Sequence, residues 1–513
     1  MQPVTLDART RFLLFALPLL AFLLNLGGAP LFDVDEGAFS EATREMFERG
    51  DFLSTWLNGE PRFDKPILIY WLQAIFVFIL GPNEWAFRLP SALAATFWAY
   101  AVGRFAAPRF GRDAAIMATA IAATCIGTHI IGRASTADSL LNMLLALALM
   151  DGWRHLEGGG RAPLLRSYLW IALGVLTKGP IALLVPGATT LLYCLSVGRW
   201  RDWLRSVFDP LGWLILIGVA APWYIAALVI HGQDFIDGFF LRHNVQRFSG
   251  TLEGHSGSLF YYVLIVPALL LPWTSFLIAA LTKLRSDVRE PMRRFLWIWA
   301  GFVVVFFSLS GTKLPHYALY GCTPLFVLLG AHRNSLRNPF LAALPAVLLL
   351  GVLAALPWLL QHSLEAGWVR DRFYNMQVAR VGEALHPAYV PALICALVLA
   401  IGVMLRHRAQ VWQRVVLIAG AQTVLLCLLV TPFVGDVLQG PTKRAALVAR
   451  SHPGPAVQWN FHAPSFSVYR QQQTPARPPQ SGDLALTRAD RLPADAPVDV
   501  LFAEGGVRLV KVR

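Results

Sequence analysis

Apolar runs of membrane-spanning length recur along almost the whole chain. They fall at 12–26 and near 88–103, 113–131, 136–153, 211–230, 258–281, 295–309, 316–331, 339–360, 388–405 and 413–433. Such a chain is built to bury its side chains in lipid, where backbone polar groups must be satisfied within helices. Of 513 residues, 56% are hydrophobic and only 15% charged, so the class is an all-α polytopic membrane protein. A net charge of +13 would suit nucleic acid, but the basic residues sit in short clusters between apolar runs. That is the pattern of loops retained in the cytoplasm, and no nucleic-acid partner is expected. Cys125, Cys194, Cys322, Cys395 and Cys427 all lie inside apolar runs without CxxC or His-paired spacing. They read as small core residues.

Two kinds of loop alternate. Short basic loops carry Arg104/Arg109/Arg112, Arg154/Arg161/Arg166, Arg199/Arg201/Arg205, Lys283 through Arg294, Arg333/Arg337 and Arg406/Arg408/Arg414. Mixed polar and aromatic loops occupy 30–66, 132–136, 231–257, 310–315 and 361–387. The positive-inside rule puts the first kind in the cytoplasm and the second outside. This alternation requires that Ile67–Leu80 not cross. Its roughly 14 residues give about 21 Å of helix, short of a hydrocarbon core of about 30 Å, so it is expected to lie in the interface. Arg9 and Arg11 before Phe12–Leu26 mimic a signal peptide, but no small-x-small cleavage site follows, and a retained first span is expected. Region 164–197, interrupted at Lys178-Gly179-Pro180, fits two short passes or a re-entrant pair. The expected total is 13 spans, with the N-terminus inside and the C-terminus outside. Residues 1–433 form the membrane domain. Residues 434–513, rich in Pro, Gln, Arg and Asp with short β-like runs, are expected to form a small α/β domain on the outer side, packed on the membrane domain.

On this topology the notable polar residues converge on the outer face. Asp35 and Glu36 open the first outer loop, and Arg62-Phe63-Asp64-Lys65-Pro66 closes it. Arg88 begins the next span; Arg133 and Asp138 flank an outer turn; Lys178 sits at the next. His243, Arg247 and His255 fall in the long outer loop, and Lys313, His316 and Tyr317 at the last small one. Each has a plainer reading: lysines snorkel, Asp33 or Asp138 caps a helix, Arg88 anchors a span end, and the histidines are ordinary loop residues. Together, on one face, they suggest a single polar site. Cations at bilayer depth suit a lipid-borne phosphate. A carboxylate opposite suits a general base that deprotonates an acceptor attacking an anomeric carbon. The cations would then stabilise the departing lipid phosphate.

Seven motifs in order carry a resemblance. They are Val34-Asp35-Glu36; Phe63-Asp64-Lys65-Pro66 with Tyr70-Trp71; Arg88-Leu89-Pro90-Ser91; Arg133 to Asp138; Thr177-Lys178-Gly179-Pro180; His243 to Phe248; and Lys313-Leu314-Pro315-His316-Tyr317. In these the chain resembles the GT-C superfamily of glycosyltransferases that use lipid-linked sugars. The nearest branch contains the lipid A 4-amino-4-deoxy-L-arabinose transferases and is related to protein O-mannosyltransferases. The resemblance covers roughly residues 10–330, and the last spans only by hydropathy. It implies a GT-C-type fold, with juxtamembrane helices beside the spans. It also implies Asp35 as essential carboxylate and base, Glu36 in support and Asp138 as a second acidic residue. Lys65, Arg88, Lys178, Arg247 and Lys313 would hold donor or acceptor phosphates, with Arg133, His316 and Tyr317 lining the site. Asp64 and His243 are the candidate ligands of a divalent metal, although Asp64 stands where close relatives carry Glu. The second proline common after the family's lysine is replaced here by Ile67. The implied partners are a polyprenyl-phosphate-linked sugar, an aminosugar among the candidates, and lipid A or another envelope acceptor. The implied location is the bacterial inner membrane, with the site facing the periplasm. Transfer to protein Ser/Thr is the alternative within the class. A transporter is the alternative outside it, against which stand the absence of internal repeats and the placing of charges at loop edges.

Overall fold

The computed structural model describes residues 6–246, 257–406 and 408–513. Most of the chain is helical, and local sequence sets many helix starts. Asp7 caps Ala8–Leu23, Asn83 caps Glu84–Phe110, Asp209 caps Pro210–His231 and Asn338 caps Pro339–Glu365, each side chain accepting a first-turn backbone N–H. These caps satisfy donors that the helix itself leaves orphaned.

Among the described residues, four helical stretches are long and apolar enough to cross a membrane singly: Pro210–His231, Pro291–Leu309, Pro339–Glu365 and Val411–Arg450. A pair, Arg112–Thr124 and Ile126–Gly132, passes the same test when taken together and is bent by 60°, as a broken span or a re-entrant loop. The apolar run expected at 258–281 is likewise divided, into Tyr261–Leu269 and Thr274–Leu281. Region 164–197 forms two helices, Arg161–Lys178 and Ile181–Ser196. Gly179 separates them at a φ of +78°, and a Cβ there would meet the Phe239 ring at 2.8 Å. Only glycine allows both that turn and that approach. Leu68–Leu80 is a 13-residue apolar helix whose far end leaves Phe78 82% exposed.

The C-terminal residues form a four-stranded sheet in the order Ala456–Gln458, Leu484–Arg488, Val507–Val512, Val498–Glu504. The first pair is parallel and the others antiparallel. Its apolar face, including Leu484, Leu486, Val507 and Leu509, packs with Phe466 and with Ala445, Ala446 and Ala449 of the helix Thr431–Arg450. That helix continues from the apolar stretch without a break at 434, so the change in composition there is not a change in backbone.

Candidate active site

The acidic pair divides its labour by helical geometry. Asp35 and Glu36 occupy the first turn of Asp35–Arg49, where negative charge complements the helix's positive end. Adjacent helical residues point in different directions. Glu36 turns inward and is 4% exposed. Its two oxygens receive Arg88 Nε and Nη2 at 2.8 Å, the Ser135 amide at 2.7 Å and the Phe32 amide at 2.9 Å. Asp35 points outward, exposed, and accepts no hydrogen bond among the described residues. Arg62 and His316 lie within its electrostatic reach.

This geometry sets Glu36 behind Asp35, in support of it, and turns Arg88 away from the phosphate-binding role expected of it. A guanidinium has five N–H donors, and Arg88 spends all five: two on Glu36 and three on the carbonyls of Leu26, Ala29 and Pro30. None remains for a phosphate. The pair ties the end of the first helix to the start of Asp35–Arg49 and holds Asp35 in place.

Asp138 and Lys178 stand at the facing ends of Asp138–Leu156 and Arg161–Lys178 and form an ion pair. His316 Nε2 lies 3.6 Å from Asp138 Oδ1 and the Tyr320 hydroxyl 3.4 Å from it. The Lys178 ammonium also sits 5.5 Å from the Tyr317 ring centre and 5.7 Å from that of Tyr320, favourable cation–π contacts. With Lys178, Tyr320 and His316 around it, Asp138 is placed to orient a cation.

Two hollows of similar size flank this cluster. One, of about 720 Å³, is lined by Asp64, Lys65, Lys178, Tyr317 and Tyr320 at its polar end. Ile181, Leu183, Leu184, Phe239, Phe240, Phe306 and Phe307 supply its apolar walls. The other, of about 680 Å³, is lined by Asp35, Arg133, Asp138 and His316 together with Leu26, Ile126, Leu319, Leu426 and Val430. Asp138 faces the second and its partner Lys178 the first. The ion pair is thus the partition between them.

Lys65, half-buried, donates to the Asp64 carbonyl at 3.0 Å. The Asp64 carboxylate accepts from Arg62 Nε and Nη2 at 3.3 and 3.2 Å. Both Arg62 contacts fall on the same oxygen, Oδ2, and no group of three His, Cys, Asp or Glu gathers among the described residues. The His243 side chain and Arg247 lie outside the described residues. Lys313 also departs from expectation: it is 8% exposed, donates to the Ser310 carbonyl at 2.7 Å and lines neither hollow. Arg133 is held by the carbonyls of Ala21, Phe22 and Asn25 at the end of the first helix.

Sequence reasoning stopped at Tyr317 and missed Tyr320, three residues on and so on the same face of this tight helical turn. The short helix Pro464–Arg470, a helix-compatible stretch in the sequence, fastens the site's first loop, a contact the sequence did not announce. Ser465 donates its amide and hydroxyl to Asp33 at 2.9 and 2.5 Å. The Tyr469 hydroxyl bridges the Leu31 amide and Glu84, and Ser467 meets Asn58. Burial pushes the Asp33 carboxyl up to about 7, against the pull of the two Ser465 donors and with help from nearby Glu36.

An acidic first loop, cations beside an apolar hollow and a helical membrane scaffold make the chain similar to glycosyltransferases that use lipid-linked sugars. The family described as dolichyl-phosphate-mannose-protein mannosyltransferase matches residues 64–225. The undecaprenyl phosphate-alpha-4-amino-4-deoxy-L-arabinose arabinosyl transferase of Serratia proteamaculans is 30% identical over 61% of this chain and 57% of its own length. Its Enterobacter counterpart is 28% identical over 77% of this chain and 71% of its own. The chain thus spans little more than half the length of the Serratia relative it matches. In fold it is similar to ArnT from Cupriavidus metallidurans bound to undecaprenyl phosphate, with a TM-score of 0.79, 20% identity and 97% of each chain covered. The apo form of that protein gives a TM-score of 0.77.

Proposed function

We propose that this protein transfers a sugar, most plausibly 4-amino-4-deoxy-L-arabinose, from a polyprenyl-phosphate donor to lipid A on the periplasmic face of the inner membrane. The observation that carries the reading is Asp35. Among the described acids of the site it alone accepts no hydrogen bond, and it faces a hollow across the ion pair from Lys65 and Lys178. The relatives' names supply the donor and sugar, and the lipid-bound ArnT neighbour agrees with a polyprenyl phosphate in this fold.

In this reading the polyprenyl chain lies along the phenylalanine-rich wall of the first hollow. Its phosphate meets Lys65 and Lys178, and the acceptor occupies the second hollow. Asp35 takes the proton of the acceptor oxygen as that oxygen bonds to the anomeric carbon. The carbon's bond to the donor phosphate oxygen breaks, and the lysines stabilise the released charge. Thirteen spans place the basic loops inside, and the 434–513 unit packs on the outer surface over the first loop. The Asp64/His243 metal plays no part in this mechanism. Transfer to protein Ser/Thr, which the matching family's description suggests, is the second reading.

The test is mass spectrometry of lipid A from cells lacking the gene, complemented with wild type or with Asp35→Asn. The expected result is an added aminosugar only with wild type. Unmodified lipid A in every strain, with a newly glycosylated protein instead, establishes the second reading.

A further inference from the structure

Far from Asp35 lies a separate hollow of about 600 Å³, lined by Arg112, Arg406, Arg408 and Arg414. The helix Glu84–Phe110 leads from the site's Arg88 to the turn before Arg112. Its 27 residues measure about 40 Å at 1.5 Å each. That is more than a hydrocarbon core of about 30 Å, so the hollow belongs to the opposite membrane face. Arg414 is structural: it donates to the carbonyls of Met404 and Ala409 and folds the loop between two helices. Arg406 and Arg408 are exposed, and their side chains make no hydrogen bond or ion pair among the described residues. Arg112 is exposed too, near Asp7, and Asp113 is the acid in the wall. Apart from Gln413 the remaining wall is apolar, with Ile116, Val403, Trp412 and Leu417.

We infer that this hollow binds the headgroup of an anionic phospholipid from the leaflet opposite the active site. A planar guanidinium matches a phosphate in shape and charge, and basic pockets between spans on the cytoplasmic side suit doubly phosphorylated lipid headgroups. Leu417, 59% exposed beside the arginines, gives the glycerol and upper acyl chain an apolar surface that a soluble phosphate would not use. Two unpaired arginines next to a third that is held by carbonyls leave positive charge without a protein partner at the membrane boundary. The lipid supplies that partner. This site is independent of the transfer reaction and of its donor.

The test uses the full-length protein in neutral detergent, titrated with cardiolipin or phosphatidylethanolamine and read by native mass spectrometry. Wild type is expected to retain cardiolipin preferentially. Arg406→Gln with Arg408→Gln should weaken that retention about ten- to thirty-fold, whereas Arg406→Lys with Arg408→Lys keeps most of it. Arg285→Gln with Arg289→Gln, a charge-matched change in another basic loop, should leave it intact. Equal retention by wild type and the double Gln variant overturns the inference, as does an equal loss in the charge-matched control. Displacement of cardiolipin by equimolar inorganic pyrophosphate also overturns it, in favour of a soluble phosphate ligand. Should the double Gln variant not fold, the lipid preference of wild type and of the Lys variant decides.

Discussion

Arg88 holds Glu36 by both carboxylate oxygens, each 2.8 Å from a guanidinium nitrogen, and so sets the direction of the neighbouring Asp35. Removing one partner of a buried pair strands the other. Arg88→Gln is therefore expected to cost about 3–5 kcal/mol of stability, seen as a lower melting point in detergent. Arg88→Lys should not rescue it, since an ammonium has three donors where five are used. Full stability with weakened donor binding returns Arg88 to the phosphate site.

Asp35→Asn keeps the shape of the side chain but removes its basicity. Turnover in reconstituted membranes should fall about 10²- to 10⁴-fold, with donor binding nearly unchanged. The cost in stability should be small, about 0.3–1 kcal/mol for a first-turn charge. Wild-type turnover in this variant ends the assignment of Asp35 as base.

Lys65→Ala removes an ammonium from the polar end of the first hollow. Loss of one charge-assisted hydrogen bond, about 1.5–3 kcal/mol, implies roughly ten- to a hundred-fold weaker donor binding. The check is titration with polyprenyl phosphate, which isolates binding from chemistry. Unchanged affinity makes Lys65 a snorkelling residue.

Asp33 makes the outer fastening sensitive to pH. Its folded carboxyl titrates near 7, above the unfolded value of about 3.9, so between those values the folded protein binds the extra proton. Its contribution is complete below the unfolded value and is lost as pH rises through 7. The melting point should decline from pH 5 to pH 8, and Asp33→Asn should flatten that decline. Ser465→Ala should lower the melting point throughout, because it takes one donor from Asp33. An unaltered slope in Asp33→Asn places the titration elsewhere.

The positions of Asp35, Lys65, Asp138 and Lys178 were legible because a charge at the edge of an apolar run has few uses, and these recur on one side of the alternation. What each side chain does there was not. Arg88 looked like a phosphate ligand until the carbonyls of Leu26, Ala29 and Pro30 closed around it, and their direction depends on how the first helix ends. Lys313 turned to Ser310 for the same kind of reason. Strands 456–458, 484–488, 498–504 and 507–512 followed their apolar patterning closely. The polar residues Asp436, Lys443 and Arg444, which made 434–450 look like the start of a soluble unit, are satisfied by Glu84, Arg380 and Glu504. Those partners are distant in the chain, so the helix could continue where composition suggested a stop. Its apolar stretch also reaches the second hollow through Leu426 and Val430, a contact no pattern announces.

The unbroken helical rod from Val411 to Arg450 is a lever with its ends in two environments. Its inner half supplies Leu426, Val430, Thr431, Pro432 and Val434 to the wall of the second hollow. Its other half forms one side of the core beneath the sheet, beside the helix Pro464–Arg470, whose Ser465 and Tyr469 grip the first loop. One continuous helix therefore joins the wall of the second hollow to the fastening of the loop that carries Asp35, so the hollow and the C-terminal sheet share a single backbone.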